Sequence, residues 1–327
     1  HFCNSCHVLF TSHSLVYTGF SKNISKIVFL TVLCYSKIMK KLAGVYETTK
    51  KDGSVYYRSS VTYKRRHISL GSYENAQSAH LAYRLALSVL EPGSPITIET
   101  LSQLYRTESA SLEKSKKNIA KFDSLPFEKA VCLLNFRDNG IYFSSPIYLK
   151  KSFFYYYLTP EITLLFDKED LFFYSSHRIM KRGGHLFVAE YGMQTSVLSR
   201  YGIRSYAVKD RDYRFLNGDA NDLRYSNIEI INRYFGVFRS GTLGSYTYQV
   251  KIHINGDLQV GTYKDEKTAA IVYNKAADFC HQYGIVKNFP VNYIEELSAR
   301  EYADIYSSIT LPARFIQYFT SGYNPQS

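Results

Sequence analysis

Two stretches of the chain carry the same order of hydrophobic and polar positions. In the later one, Tyr248, Val250, Ile252 and Ile254 alternate with Gln249, Lys251 and His253, and Asn255-Gly256 follows. A period of two closed by Asn-Gly predicts a hairpin strand with one buried and one wet face. Downstream, Ala269, Tyr273, Ala276 and Cys280 fall at helical spacing, which predicts a helix over about Asp265 to Tyr283 whose narrow face of mostly small residues lies close on the sheet. The earlier stretch repeats the scheme, with Tyr57, Ser59, Val61 and Tyr63 backed by Ala79, Tyr83, Ala86 and Leu90.

The two copies share a frame. Gly44-Val45-Tyr46 matches Gly236-Val237-Phe238, and Leu70-Gly71-Ser72-Tyr73 matches Val260-Gly261-Thr262-Tyr263. Counted from each second glycine, Ala79 aligns with Ala269, Tyr83 with Tyr273 and Ala86 with Ala276. Each copy then reads as strand, turn (Lys51-Asp52-Gly53 or Gly241-Thr242-Leu243-Gly244), strand, turn, strand, helix.

Between the copies the pattern changes twice. Pro92-Gly93-Ser94-Pro95 is a breaker, and the polar run that follows predicts a linker with one or two helices over 92–125. From about Phe127 to Asn232 the chain carries strand-like aromatic runs, Gly140-Ile141-Tyr142-Phe143, Ser152-Phe153-Phe154-Tyr155-Tyr156-Tyr157-Leu158 and Leu171-Phe172-Phe173-Tyr174. These read as core of a middle domain, with a base-stacking platform as the alternative. The expected organisation is a leader over 1–38, a first module over 43–91, the linker, a middle domain over 126–232, a second module over 233–295, and a C-terminal helix and tail over 296–327. The fold class is α+β: two small modules, each a three-stranded antiparallel sheet plus helix, around an aromatic-rich α+β middle domain.

Composition changes this picture in a few places. The 327 residues hold 40 Lys+Arg against 28 Asp+Glu, a formal charge of +12, which points to polyanionic partners because released counterions drive binding to phosphates. The excess is spread thinly, since 43–91 holds seven basic and four acidic residues. The surplus of aromatics, 31 Tyr and 21 Phe with no Trp, suits strand-rich layers with half-buried rings. Cysteines at 3, 6, 34, 132 and 280 are too few and too unevenly placed for a disulfide framework, so a reducing compartment is expected, with Cys132 and Cys280 as buried hydrophobes. Cys3-Asn4-Ser5-Cys6-His7 spells a haem-attachment pattern without an export signal, and the plainer reading of 1–38 is a leader or an over-extended reading frame ahead of Met39. The apolar run at Ile27–Tyr35 is about half the length of a spanning helix. No membrane, cofactor, metal or small-molecule substrate is expected, and the location expected is cytoplasmic, on the nucleoid if the source is bacterial.

The succession Gly-Val-aromatic, Leu/Val-Gly-Ser/Thr-Tyr and Ala-x-x-x-Tyr-x-x-Ala, over about 43–91 and 234–285, resembles the AP2 DNA-binding domain. The resemblance implies a sheet whose open face lies in the major groove of double-stranded DNA, a groove wide enough for such a ribbon. It also implies the contact residues: Tyr46, Thr48, Arg58, Ser60, Thr62, Lys64, Arg66 and His67 in the first copy, and Phe238, Gln249, Lys251, His253 and Gln259 in the second. Arg58 and Gln249 fall at equivalent places, and their side chains suit bidentate contact with guanine and adenine. The plainer reading of each face is an ordinary solvated one. Lys64-Arg65-Arg66-His67 reads either as a phosphate clamp or as a charged hairpin turn.

Leu216–Glu229 resembles the second half of an HNH nuclease motif as found in homing endonucleases, where an AP2 domain follows as Gly236 does here. In that family the run is preceded by Asp-His, the metal ligand and the general base. Here Arg214 and Phe215 occupy those places, with Asp219 and Asn227 retained, so a degenerate nuclease without catalytic residues is implied. His177 and His185 are the available substitute ligands. The expectation is a DNA-binding regulator derived from a mobile element, its two weak modules strengthened by being joined in one chain. The alternatives are an active metal-dependent endonuclease and a protein-interaction module.

Overall fold

The computed structural model describes residues 42–112, 124–190 and 192–321, and the expectations placed on residues 1–38 lie outside them. The described chain is α+β and forms two compact units, one up to Arg84 and one from Leu85.

In the first unit, strands β1 (Val45–Thr49), β2 (Val55–Tyr63) and β3 (Arg66–Tyr73) form an antiparallel sheet in that order. The alternation does what its period dictates: Val45, Val61, Ile68 and Leu70 are buried, while Tyr46, Arg58, Thr62 and His67 are exposed. The β1–β2 turn is tied by the Asp52 carboxylate, which accepts from Ser54 N at 2.9 Å and Ser54 Oγ at 2.6 Å. Helix α1 (Ala76–Leu90) starts in this unit, where the Asn75 side chain accepts from Ser78 N at 2.7 Å and caps its first turn. Its Ala79 and Ala82 are buried.

The second unit contains helices α2 (Ile98–Leu112) and α3 (Phe127–Asn139). It continues with the sheet β4 (Ile147–Leu149), β5 (Phe153–Tyr157), β6 (Thr163–Asp167) and the short helix α4 (Leu171–Ser176). A second sheet of β7 (Ile179–Arg182), β8 (His185–Glu190) and β9 (Met193–Ser196) follows, then the pair β10 (Tyr213–Phe215) and β11 (Ile228–Ile230). Phe154, Tyr156, Phe166 and Tyr174 are fully buried, and the rings of Phe166 and Tyr174 lie 4.3 Å apart. Of the aromatic run at 153–157, Phe154 and Tyr156 are therefore core, while Phe153 and Tyr155 are half-buried.

Two strand-like runs give way to other structure, and a helix opens the middle segment. Phe127–Asn139 is a helix, because Ala130, Val131, Leu133, Leu134 and the ring of Phe136 bury several sides of it at once. Gly140-Ile141-Tyr142-Phe143 is not a strand: Gly140 at φ +72° closes that helix in the left-handed region. Leu171-Phe172-Phe173-Tyr174 is helical, and packing of Tyr174 into the core outweighs the strand preference of its aromatics.

The second repeat completes this unit. Strands β12 (Val237–Ser240), β13 (Thr247–His253) and β14 (Asp257–Tyr263) pair antiparallel in order, and helix α5 (Glu266–Gln282) is capped by Asp265, which accepts from Thr268 N at 2.7 Å. Val237, Val250, Ile252, Val260, Ala269, Tyr273, Ala276 and Cys280 are buried together. Two helices follow, α6 (Ala299–Ser308), which packs Tyr302, Ile305 and Tyr306 against the same core, and α7 (Ala313–Thr320), which adds Phe315 and Phe319 to it, with Leu311 from the connection between them. The C-terminal segment is thus two helices packed on the repeat.

Candidate nucleic-acid interface

The two repeats agree in detail that their sequence identity alone does not convey. In the first, Tyr46, Arg58 and Ser72 stand opposite one another across the three strands; in the second, Phe238, Gln249 and Thr262 do. Each middle strand is broken by a bulge one residue later, between Ser59 and Ser60 and between Val250 and Lys251. Each bulge is tied back the same way: Ser60 N–H donates to the Gly44 carbonyl at 3.1 Å, and Lys251 N–H to the Gly236 carbonyl at 2.8 Å.

Those two glycines also explain the aligned tyrosines. Gly44 and Gly236 sit at φ +74° and +70°, and a Cβ there would meet the ring of Tyr83 at 2.1 Å or of Tyr273 at 2.3 Å. Glycine is required both by the backbone angle and by the ring lying on it. Gly71 and Gly261 likewise face the hydroxyls of Tyr73 and Tyr263.

On the outer face of the first sheet, Tyr46, Thr48, Arg58, Ser60, Thr62 and His67 come together with Ser69, which stands opposite Ser60. Tyr46, Thr48, Arg58, His67, Ser69 and the two bulge serines line a pocket of about 350 Å³. The Thr62 hydroxyl and His67 Nδ1 are 3.4 Å apart. Three assigned residues behave differently. Ser60 is buried, and neither its hydroxyl nor that of Ser59 has a partner. Lys64 is in the hairpin turn, not on the sheet, because Lys64 and Arg65 both take positive φ (43° and 64°), the geometry of a two-residue turn matched to strand twist. Arg66 stands opposite Tyr63, one residue out of phase with His67, so alternation puts it on the helix side. Of the run Lys64–His67, Lys64 and Arg65 form the hairpin turn, and Arg66 and His67 begin β3.

In the second sheet all five assigned residues share one face. Phe238 pairs with Gln249, Lys251 with Gln259, and His253 with Asp257, whose carboxylate lies 2.8 Å from His253 Nδ1. This face is not open throughout. The segment carrying Tyr206, Arg211 and Asp212 lies against it, and with Tyr234, Phe235, Gly236, Phe238, Lys251, His253 and Asp257 it encloses a pocket of about 250 Å³. The Arg211 guanidinium is 5.7 Å from the Phe238 ring centre and the Lys251 ammonium 5.5 Å. Arg211 also grips Asp212 at 2.7 Å and Asn232 donates to the same carboxyl. Burial pushes the Asp212 carboxyl up, but these donors and the Val208 N–H outweigh it and hold it below the usual carboxylate range. Arg211 and Asp257 escape a reading of the sequence. Asp257 becomes visible only through the hairpin register opposite His253, and Arg211 comes from a distant segment with no periodic pattern.

The segment from Arg214 to Glu229, where nuclease residues are expected to be degenerate, is occupied by structural contacts. Arg214 donates to Glu229 at 2.7 Å, and Phe215 is buried. Asn227 is buried and braces the loop: its side chain accepts from Asn217 N at 2.8 Å and donates to the Asp222 carbonyl at 2.8 Å. Asp219 accepts from Asn221 N at 2.9 Å. The Asp222 carboxyl is held below its usual range, first by the Arg224 guanidinium at 2.6 Å, against a smaller opposing effect of burial. His177 stacks on Phe173 with ring centres 4.2 Å apart, and His185 opens β8 just after the Gly183-Gly184 turn. Among the described residues no three His, Cys, Asp or Glu side chains gather as metal ligands would, and no helix is long and apolar enough to cross a membrane.

Comparison with protein-family models, with curated proteins and with solved structures gives no match to this chain.

Proposed function

We propose that the chain binds double-stranded DNA through the outer faces of its two sheets, as a regulator or a mobile-element derivative whose nuclease-like segment serves as scaffold. One observation carries this reading. Two sheets with the same register, bulge and glycine support turn Arg58 and Gln249 to the same place on the face away from the helix. Both side chains can make two parallel hydrogen bonds to a base edge, while Lys251 in the second face supplies charge for phosphate. A three-stranded ribbon of this kind fits the major groove.

The reading is tested by gel-shift titration across a salt series. Arg58→Ala and Lys251→Ala are each expected to weaken binding and to lower the slope of log affinity against log salt by about one. Unchanged slopes for both variants would sink the sheet-face reading. Selection from random duplexes on the same protein is expected to enrich a motif, and Arg58→Ala to relax it at one position.

A further inference from the structure

The 250 Å³ pocket beside the second sheet is built differently from its counterpart in the first repeat. Four rings, those of Tyr206, Tyr234, Phe235 and Phe238, contribute to its lining. Its charged groups are mostly spoken for: Arg211 is bound to Asp212, and His253 to Asp257. Lys251 is the exception. Its ammonium lies over the Phe238 ring and has no hydrogen bond or ion pair among the described residues. We propose that this pocket is a binding site for a small aromatic monoanion, an aryl carboxylate, with the ring among the aromatic side chains and the carboxylate on Lys251.

Size and charge select that class. The volume is below the roughly 300–1,000 Å³ of pockets for drug-sized ligands and suits one ring with its substituent. One unpaired ammonium facing a ring-lined cavity favours an anion with an apolar body. The carboxylates of Asp212 and Asp257 in the same lining disfavour a second negative charge, which separates an aryl carboxylate from a phosphate ester. In the first repeat the corresponding pocket has no acid among its lining residues and, besides the His67 imidazole, only the ring of Tyr46, so the two sites are not copies in chemistry. Phe238 and Lys251 also belong to the proposed DNA face; resting on that reading, an occupied pocket and a bound duplex compete for them.

The test is a titration of the full chain with benzoate, followed by amide chemical shifts. Saturable shifts at Phe238, Lys251 and Tyr206 are expected, with a dissociation constant on the order of 1 mM for so small a probe. Lys251→Met, which keeps the stem and removes the charge, is expected to weaken binding by about tenfold or more. Asp257→Asn, which removes a repelling charge, is expected to tighten it several-fold. Benzamide, the neutral isostere, should bind as weakly to the wild type as benzoate does to Lys251→Met. Equal affinity for benzoate and benzamide, or shifts that both variants leave untouched, overturns the proposal. Saturating benzoate is expected to weaken duplex binding by the wild type and not by Lys251→Met. A benzoate site in a protein without duplex affinity overturns the DNA reading alone, and duplex binding without a benzoate site overturns this one alone.

Discussion

Tyr83 and Tyr273 each lay a ring on a glycine at positive φ, and neither repeat tolerates a Cβ between them. Gly236→Ala combines a left-handed backbone costing about 1–2 kcal/mol for an L side chain with overpacking worth about 1–3 kcal/mol. Denaturant unfolding is expected to show a loss of at least about 2 kcal/mol. The Tyr273 hydroxyl behaves oppositely. It is buried with no partner, and burial pushes its pKa up. Tyr273→Phe removes an unsatisfied group while keeping the ring, so the same measurement should show no loss, or a gain of up to about 1 kcal/mol. A clear loss from Tyr273→Phe would mean that the hydroxyl has a partner, such as a bound water. The tyrosines were legible as equivalent because each falls at the same offset after the second glycine of its repeat, Gly71 or Gly261, whereas their contact with Gly44 and Gly236 was not. What could not be read was the burial of Ser60 and the turn geometry of Lys64, which depend on where the bulge and the hairpin fall.

At the scale of elements, alternation and helical spacing located both sheets and both repeat helices, and the bulges were invisible because they change pairing without changing pattern. The middle segment misled because its aromatics favour strands: Leu171–Ser176 is nevertheless helical, with Tyr174 anchoring it in the core. The loop from Asn217 to Asn227 is held by side chains rather than by a ladder. Asp222, buried and bound to Arg224 and Asn217, contributes stability of a definite pH dependence. Its folded pKa is depressed, so the contribution is present above the usual carboxylate value and disappears as pH falls through and below that range. Asp222→Asn is expected to flatten the acid limb of the unfolding midpoint against pH, while a parallel shift of the whole curve would assign the effect elsewhere.

For the molecule as a whole, the charge of +12 favours polyanions, and in the proposed DNA reading discrimination would come from a few side chains on each sheet. The segment from Arg214 to Glu229 is committed to bracing, with Phe215 in the core and Asn227 tied to three backbone groups. Supercoiled plasmid incubated with Mg²⁺ or Mn²⁺ is expected to remain supercoiled, and nicking abolished by Asn227→Ala would restore the endonuclease alternative. The repeated bulge and its glycine tie carry a last consequence. What the two scaffolds share lies on the helix side or in the backbone, and what differs between their pockets lies on the outer face and in the segment around Tyr206 to Asp212 laid against the second one. Inheritance can therefore edit either outer surface without renegotiating the fold beneath it, and the two copies are free to drift towards different ligands while remaining structural twins.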